Sequence, residues 1–476
     1  MIREENFRKV EIRKVERVSF TSLILATVVM FFLVSSGSSK QKQFKGVVLD
    51  VCNMSGWTCT APIWDKLDEF EKLTGIKVRL NDFPYDDLVR KEALESAMHT
   101  GAFDVLQVDS PAQLANIGPY AVPLDEYIEK TWGLEDWKRD SFEDQIFLST
   151  WEGKIVGVPI IAGAQIIFYR KQLFEDPKEK KAFKAKYGYE LQPPRTLGEM
   201  RDIANFFTRD TDGDGTTDLW GLVFPGDKIF GTCIIYGQFL AADVELWDNA
   251  WRCQWDATHP AKRLTGMEIA KLWYDFVNVD KVTSRGVVGK AHYDVMETYY
   301  AGKAAMVMSW LHDWWNQVQW PEVVNKIGET GSALIPSYLG GIRGPSPSLL
   351  GVWFWAISMD SDNKDAAWEF IKWVNSDEIA KYMITPQEGI KGSFLPARKS
   401  IAKWAAEQGY CPPATVQDSM RIQCREPVPP EIGVAQFEIF GSYVERLLNG
   451  DITPEQFVDE TAKEINELME KAGYWK

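Results

Sequence analysis

The sequence predicts an α/β protein of two lobes, on three observations. Residues 45–108 alternate short apolar runs with amphipathic stretches in the order β-α-β-α-β, the rhythm of a largely parallel sheet. The chain has 476 residues, more than one hydrophobic core organises. Residues 302–315, GKAAMVMSWLHDWW, join a short buried strand to a cluster of Trp310, Asp313, Trp314 and Trp315. Open α/β sheets hold ligands just outside the carboxyl ends of their strands.

Residues 45–51, KGVVLDV, read as the first strand, followed by a loop with Ser55, Gly56 and Trp57. Residues 63–74 form a helix with Ile63, Leu67, Phe70 and Leu73 on one face and Gly75 as its stop. Residues 76–80 alternate as a second strand, 87–100 make a helix closed by Gly101, and 103–108, FDVLQV, make a third strand ahead of Asp109-Ser110-Pro111. Trp57 and Asp109 thus fall just past strand ends. Residues 153–170 read as two strands around Gly157-Val158-Pro159, where Pro limits ladder pairing and suits a crossing between lobes. Residues 304–308 are a buried strand, and 350–359 another, with Trp353 and Trp355 on one face by alternation. In the helix over 366–374, Trp368 and Trp373 are five apart, cannot share one narrow stripe, and are assigned to packing. The last helix, 454–472, starts with Thr453 as N-cap, Pro454 at the first position and Gln456 at the capping-box position.

Composition narrows the function. Hydrophobic residues at 45% and charged residues at 25% are ordinary, but 20 Trp are not. Flat aromatic faces beside a carboxylate suit a sugar, with its apolar C–H face and hydroxyl rim. Packing is the competing reading for the same side chains. The net charge is −15, of which the first 39 residues contribute +2, so the body stands at −17. That acidity argues against nucleic acid, which needs a basic footprint.

Residues 18–34 carry no charge, follow a net-basic segment ending at Arg17, and precede Ser35-Ser36-Gly37-Ser38-Ser39. Residues 1–39 are therefore a signal peptide or a minimal membrane anchor, both readings open, of an exported protein. No Cys directly follows, so a lipoprotein anchor is not supported. Export favours disulfides, and Cys52 with Cys59, Cys233 with Cys253, and Cys411 with Cys424 are the simplest pairing of the six Cys. No CxxC spacing occurs and the chain has 4 His, which disfavours a zinc site.

Asp210-Thr-Asp212-Gly-Asp214-Gly-Thr216-Thr-Asp218 places oxygen side chains at every second residue, as a calcium loop does. Gly215 stands where such a loop turns sharply, but its twelfth position is Gly221 instead of Glu, so the set is incomplete. A structural Ca²⁺ held by Asp210, Asp212, Asp214, Thr216 and Asp218 is the expectation, and an Asx-rich surface turn the alternative.

A series of phrases, FEKLTGIKV, PYDDL, GAFDVLQVDS, AVPLDEYI, GKIVGVPIIAGAQIIFYRKQLFED, PPRTLGEMRDIANFFT and DGDGTTDLWGLVF, resembles the extracellular solute-binding proteins of ABC importers. The resemblance is to the maltose-binding-protein-like sugar-binding group. It continues through GKAAMVMSWLHDWW, PSPSLLGVWFWAIS, DNKDAAWEFIKWVNSDEIAKYM, GSFLPARKS and LLNGDITPEQFVDETAKEINELM, in order over nearly all the exported region. It implies a type II periplasmic-binding-protein-like fold with hinge strands and a ligand cleft between lobes. It divides the chain into an N-lobe of 40–157 and 348–398 and a C-lobe of 158–347 and 399–476. It also implies a monomer that closes on its solute and delivers it to ABC permease subunits.

Motif position and strand-end logic together nominate Trp57 and Asp109 in the first lobe, Trp310 and Asp313 in the second, and Trp353 and Trp355 at the crossing. The expected ligand is an oligosaccharide or glycoside, with a polyol, glycerol-phosphate or peptide as alternatives. A glycoside hydrolase is the enzymatic alternative, but no local motif singles out its carboxylate pair. No GxSxG, HExxH or Walker A pattern is present.

Overall fold

The computed structural model describes residues 44–56, 59–163, 165–311, 313, 321–336, 338, 351–385, 397–410 and 429–475. The leader, Trp57, Trp314, Trp315, Cys411 and Cys424 lie outside the described residues.

Strands β1 (Val48–Met54), β2 (Lys77–Phe83) and β3 (Val105–Ser110) run parallel, with β2 and β3 on either side of β1. Helix α1 (Leu67–Thr74) links β1 to β2, and α2 (Tyr85–Ala97) links β2 to β3. The single helix expected over 63–74 is instead a short helix, Ala61–Trp64, followed by α1. The break at Asp65 and Lys66 rotates the apolar stripe, so Ile63 and Phe70 are buried while Leu73 is 55% exposed. Gly75 ends α1 at φ +79°, a conformation that spares a glycine the clash of a Cβ.

A hairpin of β4 (Thr150–Trp151) and β5 (Lys154–Ile155) precedes β6 (Val158–Gly163). The chain then enters a second sheet with β7 (Gln165–Arg170), joined by β8 (Trp220–Val223), β9 (Ala304–Trp310) and β10 (Thr330–Ala333) in the order β10-β7-β9-β8. Strand β11 (Gly351–Ile357) returns to the first sheet and inserts antiparallel between β3 and β6, giving β2-β1-β3-β11-β6. These two sheets, each with its own helices, are the two lobes of a type II periplasmic-binding-protein fold.

Sheet membership differs from the division drawn on the sequence in two places. β6 falls within residues 158–347 but pairs with β11 in the first sheet, because the crossing comes after Gly163. Pro159 sits opposite Phe354 where the β6–β11 register shifts, consistent with its missing N–H. Just before β6, a Cβ on Gly157 would lie 1.9 Å from the Phe354 ring, so only glycine lets the chain pass there.

In the second lobe, α3 (Phe230–Ala241) is buried along most of its length and carries no charge. It contacts α4 (Pro260–Asn278), and α5 (His292–Tyr300) lies against β9. β9 is buried at all seven positions, as a strand covered on both faces must be. In the first lobe, α6 (Lys364–Val374) packs on β11 and α7 (Asp377–Ile384) contacts α8 (Lys399–Glu407). α8 therefore also stays with the first lobe, held by Ser400 N–H donating to Asp140 at 2.8 Å. Helices α9 (Gly441–Asn449) and α10 (Pro454–Lys471) close the second lobe against α4. The capping box of α10 forms: Gln456 N–H donates to Thr453 Oγ1 at 3.1 Å, and Thr453 N–H donates to Gln456 Oε1 at 2.9 Å.

Much of the Trp content is packing. Trp247, Trp255, Trp273 and Trp355 are among the largest fully buried side chains. Trp255 packs on Phe239 and Phe440 and donates its indole N–H to Thr461. Trp368 and Trp373 also pack, on Tyr127 and Trp132 and on Phe70 and Phe370 respectively. No described helix is long and apolar enough to cross a membrane.

Candidate functional site

The first-lobe side of the site is built on the end of β3. Asp109 is half-buried, and its Oδ2 accepts the Tyr85 hydroxyl at 2.8 Å from the first residue of α2. Its backbone is fixed as well: its N–H donates to Gln113 Oε1 and its carbonyl accepts Gln113 N–H, both at 2.8 Å. Burial pushes the Asp109 carboxyl up to about 7, against the lowering effect of the Tyr85 bond. Opposite Asp109 in the β3–β11 ladder stands Trp353, half-buried, with its ring edge-on to Tyr85 at 6.0 Å. Tyr85, Asp109 and Trp353 thus form one surface at a strand end, where open α/β sheets bind ligands.

The second-lobe side is built on the end of β9. Trp310, the last residue of that strand, is 7% exposed and packs on Phe230 at 5.1 Å and His292 at 5.1 Å. Asp313 is 2% exposed and accepts from Ser309 Oγ, and it pairs with His292 Nδ1 at 3.3 Å. Tyr293 lies tilted against His292 with ring centres 3.7 Å apart, and the residue is 52% exposed. Burial and the Asp313 charge push the Tyr300 phenol up, and its buried hydroxyl has no hydrogen-bond partner among the described residues.

The two sides face each other. The Asp109 charge reaches Cys233, in the first turn of α3, and Cys59 of the first lobe reaches Tyr293 of the second. A Cβ on Gly163, at the crossing, would lie 3.4 Å from the Trp310 ring. The result is an interlobe crevice with a carboxylate and aromatic edges on one wall and an aromatic cluster with a buried carboxylate behind it on the other. Such a surface combines acceptors for hydroxyls with flat apolar faces.

Of the nominated residues, Asp109 and Trp353 stand together, as do Trp310 and Asp313. Trp355 does not join them. It is 0% exposed, wedged between Trp64 at 6.2 Å and Phe370 at 5.8 Å, and offers no open face. Trp57 lies outside the described residues. Tyr85, Phe230, His292 and Tyr293 were missed by sequence reasoning. Tyr85 and His292 begin helices that follow strand or loop ends, and that position was the available signal.

Among the described residues, neither the Cys52–Cys59 nor the Cys233–Cys253 disulfide expected from the sequence is formed, and Cys411 and Cys424 lie outside them. Cys52 points from the middle of β1 to the buried Glu92, while Cys59 faces the second lobe. Cys233 stands in the first turn of α3 beside Asp109, whereas Cys253 donates its backbone N–H to Asn466 Oδ1 of α10 at 2.8 Å. The members of each pair thus serve different surroundings despite their closeness in sequence.

In the acidic loop, one oxygen each from Asp210, Asp212 and Asp218 lies within 4.8 Å of the others. The loop amides already engage it: Asp210 accepts from Gly213 N at 2.6 Å and Gly215 N at 2.7 Å, which holds its carboxyl below the usual range. Asp214 accepts from Thr216 N at 2.7 Å. The donor set fits a hard cation, with about three to five further oxygens to come from carbonyls or water.

Comparison with known proteins agrees with this architecture. A binding protein of Brucella abortus (strain 2308) is 26% identical over 338 residues, covering 69% of this chain and 70% of that protein. Maltose-bound MalE3 of T. maritima superposes with a TM-score of 0.68 at 20% identity, covering 89% of this chain and 100% of the other. An ABC transporter solute-binding protein of Agrobacterium radiobacter K84 in complex with ribitol gives 0.68 at 21% identity, covering 89% and 99%. Residues 59–381 match the model of the bacterial extracellular solute-binding proteins, and the chain belongs to that family.

Proposed function

We propose that this protein captures a sugar outside the cytoplasm by closing its lobes and delivers it to the permease subunits of an ABC transporter. The observation that carries the reading is the crevice itself. Asp109, Tyr85 and Trp353 on one lobe face Tyr293 and the Trp310 cluster on the other, so a ligand touching both walls stabilises the closed state by its differential affinity for it. Carboxylates take hydroxyl donors and aromatic faces take C–H surfaces, a chemistry shared by saccharides and linear polyols. The maltose and ribitol held by two structural neighbours fall in that class. An oligosaccharide or glycoside is the favoured ligand, bound by Asp109, Trp310, Asp313, Trp353 and Trp57. The protein acts as a monomeric receptor, not an enzyme, exported by residues 1–39.

The lobes are divided as the sequence division has them, with the crossing moved past Gly163 and α8 kept in the first lobe. Ca²⁺ in the loop of Asp210, Asp212, Asp214, Thr216 and Asp218 would neutralise converging carboxylates and brace the approach to β8, a structural role.

The test is a thermal-shift screen of the purified protein against mono- and oligosaccharides, polyols, peptides and phosphate esters, with and without EDTA. A ligand that binds only the folded state raises the melting temperature by mass action. Stabilisation by one saccharide class supports the reading. Stabilisation by peptides or phosphate esters alone discards it. A fall with EDTA, reversed by Ca²⁺, supports the metal, and an unchanged melting temperature removes it.

A further inference from the structure

We infer that Glu92 is a positioning residue for the ligand-facing carboxylate of Asp109, acting through the side chain of Gln113. Glu92 lies in α2, is 0% exposed, and touches no part of the crevice surface. Its Oε1 accepts the backbone N–H of Gln107 in β3 at 2.9 Å. Its Oε2 accepts Gln113 Nε2 at 3.0 Å. That bond fixes which way the buried Gln113 amide faces, leaving Gln113 Oε1 to accept Asp109 N–H at 2.8 Å. Gln107, held by the other oxygen, uses its own Oε1 to accept Met54 N–H at 2.6 Å at the end of β1. The Cys52 thiol is a further donor to the carboxyl group.

One carboxyl group thus holds the β3 backbone at Gln107 directly and at Asp109 through Gln113. The same helix supplies Tyr85, which grips the Asp109 carboxylate directly. Every neighbour presents a donor, so both oxygens of Glu92 must accept. An amide at this position has one accepting end only. If it satisfies Gln107 N–H, its NH₂ meets the NH₂ of Gln113. Turning Gln113 over then sets two donors face to face at Asp109 N–H. Either conflict leaves a buried polar group unsatisfied and reaches the site. Burial pushes the Glu92 carboxyl up to about 8, opposed by the bonds from Gln113, Gln107 and Cys52, so the doubly accepting carboxylate is the form present above about pH 8, and the variants are compared there.

The functional half of this inference rests on the crevice being the ligand site; the relay itself does not. The experiment measures amide hydrogen exchange in the wild-type protein, in Glu92→Gln, and in the exchange variant Glu92→Gln/Gln113→Glu. In the exchange variant the introduced amide accepts from Gln107 N–H and donates to the introduced carboxylate, whose second oxygen accepts Asp109 N–H, so every donor is satisfied again. Glu92→Gln is expected to speed exchange at Asp109 about tenfold or more while β9 is unchanged, and the exchange variant to restore it to within about threefold. Affinities for maltose and D-mannitol should follow, about tenfold weaker in the single variant and recovered in the double. Wild-type protection at Asp109 in Glu92→Gln overturns the relay, as does a double variant that fails to recover. If Glu92→Gln does not fold, a folded, protected double variant supports the relay and an unfolded one overturns it. A wild type that binds neither probe counts against the saccharide reading, and the exchange data still decide the relay.

Discussion

Asp109→Asn should make the protein more stable at neutral pH while weakening its grip on ligand. Burial holds the Asp109 carboxyl at about 7 in the folded protein, about three pH units above an ordinary Asp, and each unit corresponds to roughly 1.4 kcal/mol. The folded-state value is raised, so the folded protein holds this proton more tightly than the unfolded chain does. That contribution to stability is fully present below about pH 4, declines as pH rises, and is gone above about pH 7. The full shift would amount to ~4 kcal/mol. Asp109 is only half-buried and keeps part of its hydration, so about 2 kcal/mol is the expected gain. Asn cannot ionise and still accepts the Tyr85 hydroxyl, so it removes the charge and keeps the contact. A gain of ~2 kcal/mol moves the melting point of a lobe-sized unit by roughly 4–8 °C. Differential scanning calorimetry at pH 5 and pH 8 measures this: the variant should gain clearly more over wild type at pH 8. An equal gain at both pH values, or none at pH 8, refutes the account of Asp109 as a desolvated acceptor.

Tyr293→Ala should weaken saccharide binding about tenfold with the melting temperature unchanged, since the residue is 52% exposed, while Trp310→Ala should lower both; isothermal titration with parallel calorimetry separates them, and an unchanged Trp310→Ala affinity removes Trp310 from the site. Trp355→Ala should cost about 3–5 kcal/mol of stability through the cavity left between Trp64 and Phe370, measured by denaturant unfolding; a loss under about 1 kcal/mol would contradict its place in the core. Gly157→Ala should destabilise the first lobe by about 1–3 kcal/mol because its Cβ meets the Phe354 ring, and Phe354→Leu in the same chain should recover part of that loss.

The elements with a clean local signal were legible in the sequence. The apolar run of β9, the parallel β1–β3 unit and the capping box of α10 all formed within a few residues of expectation. What escaped depended on distant partners. Alternation put Trp353 and Trp355 on one face, but only tertiary packing decides that Tyr85 borders the first while Trp64 and Phe370 enclose the second. The short spacing of Cys52 and Cys59 suggested a bond, yet spacing says nothing about which way a strand residue points. The high Trp count suggested a ligand surface, and several of those rings instead fill the second lobe. Asp109 was nominated from its place after β3; the Glu92 relay behind it joins residues from two strands and a helix and leaves no local pattern to read.

The insertion of β11 between β3 and β6 has a consequence for the birth of the molecule. β3 and β6 leave the ribosome early, but the strand that joins them is made only after the whole second sheet has been synthesised. Until then each presents an unsatisfied apolar edge. Pairing across so much intervening chain is slow, because the entropy of closing the loop must be overcome before any ladder bond forms. A nascent chain of this design stays loose through most of its synthesis. The arrival of one seven-residue strand is therefore the event that closes the first sheet.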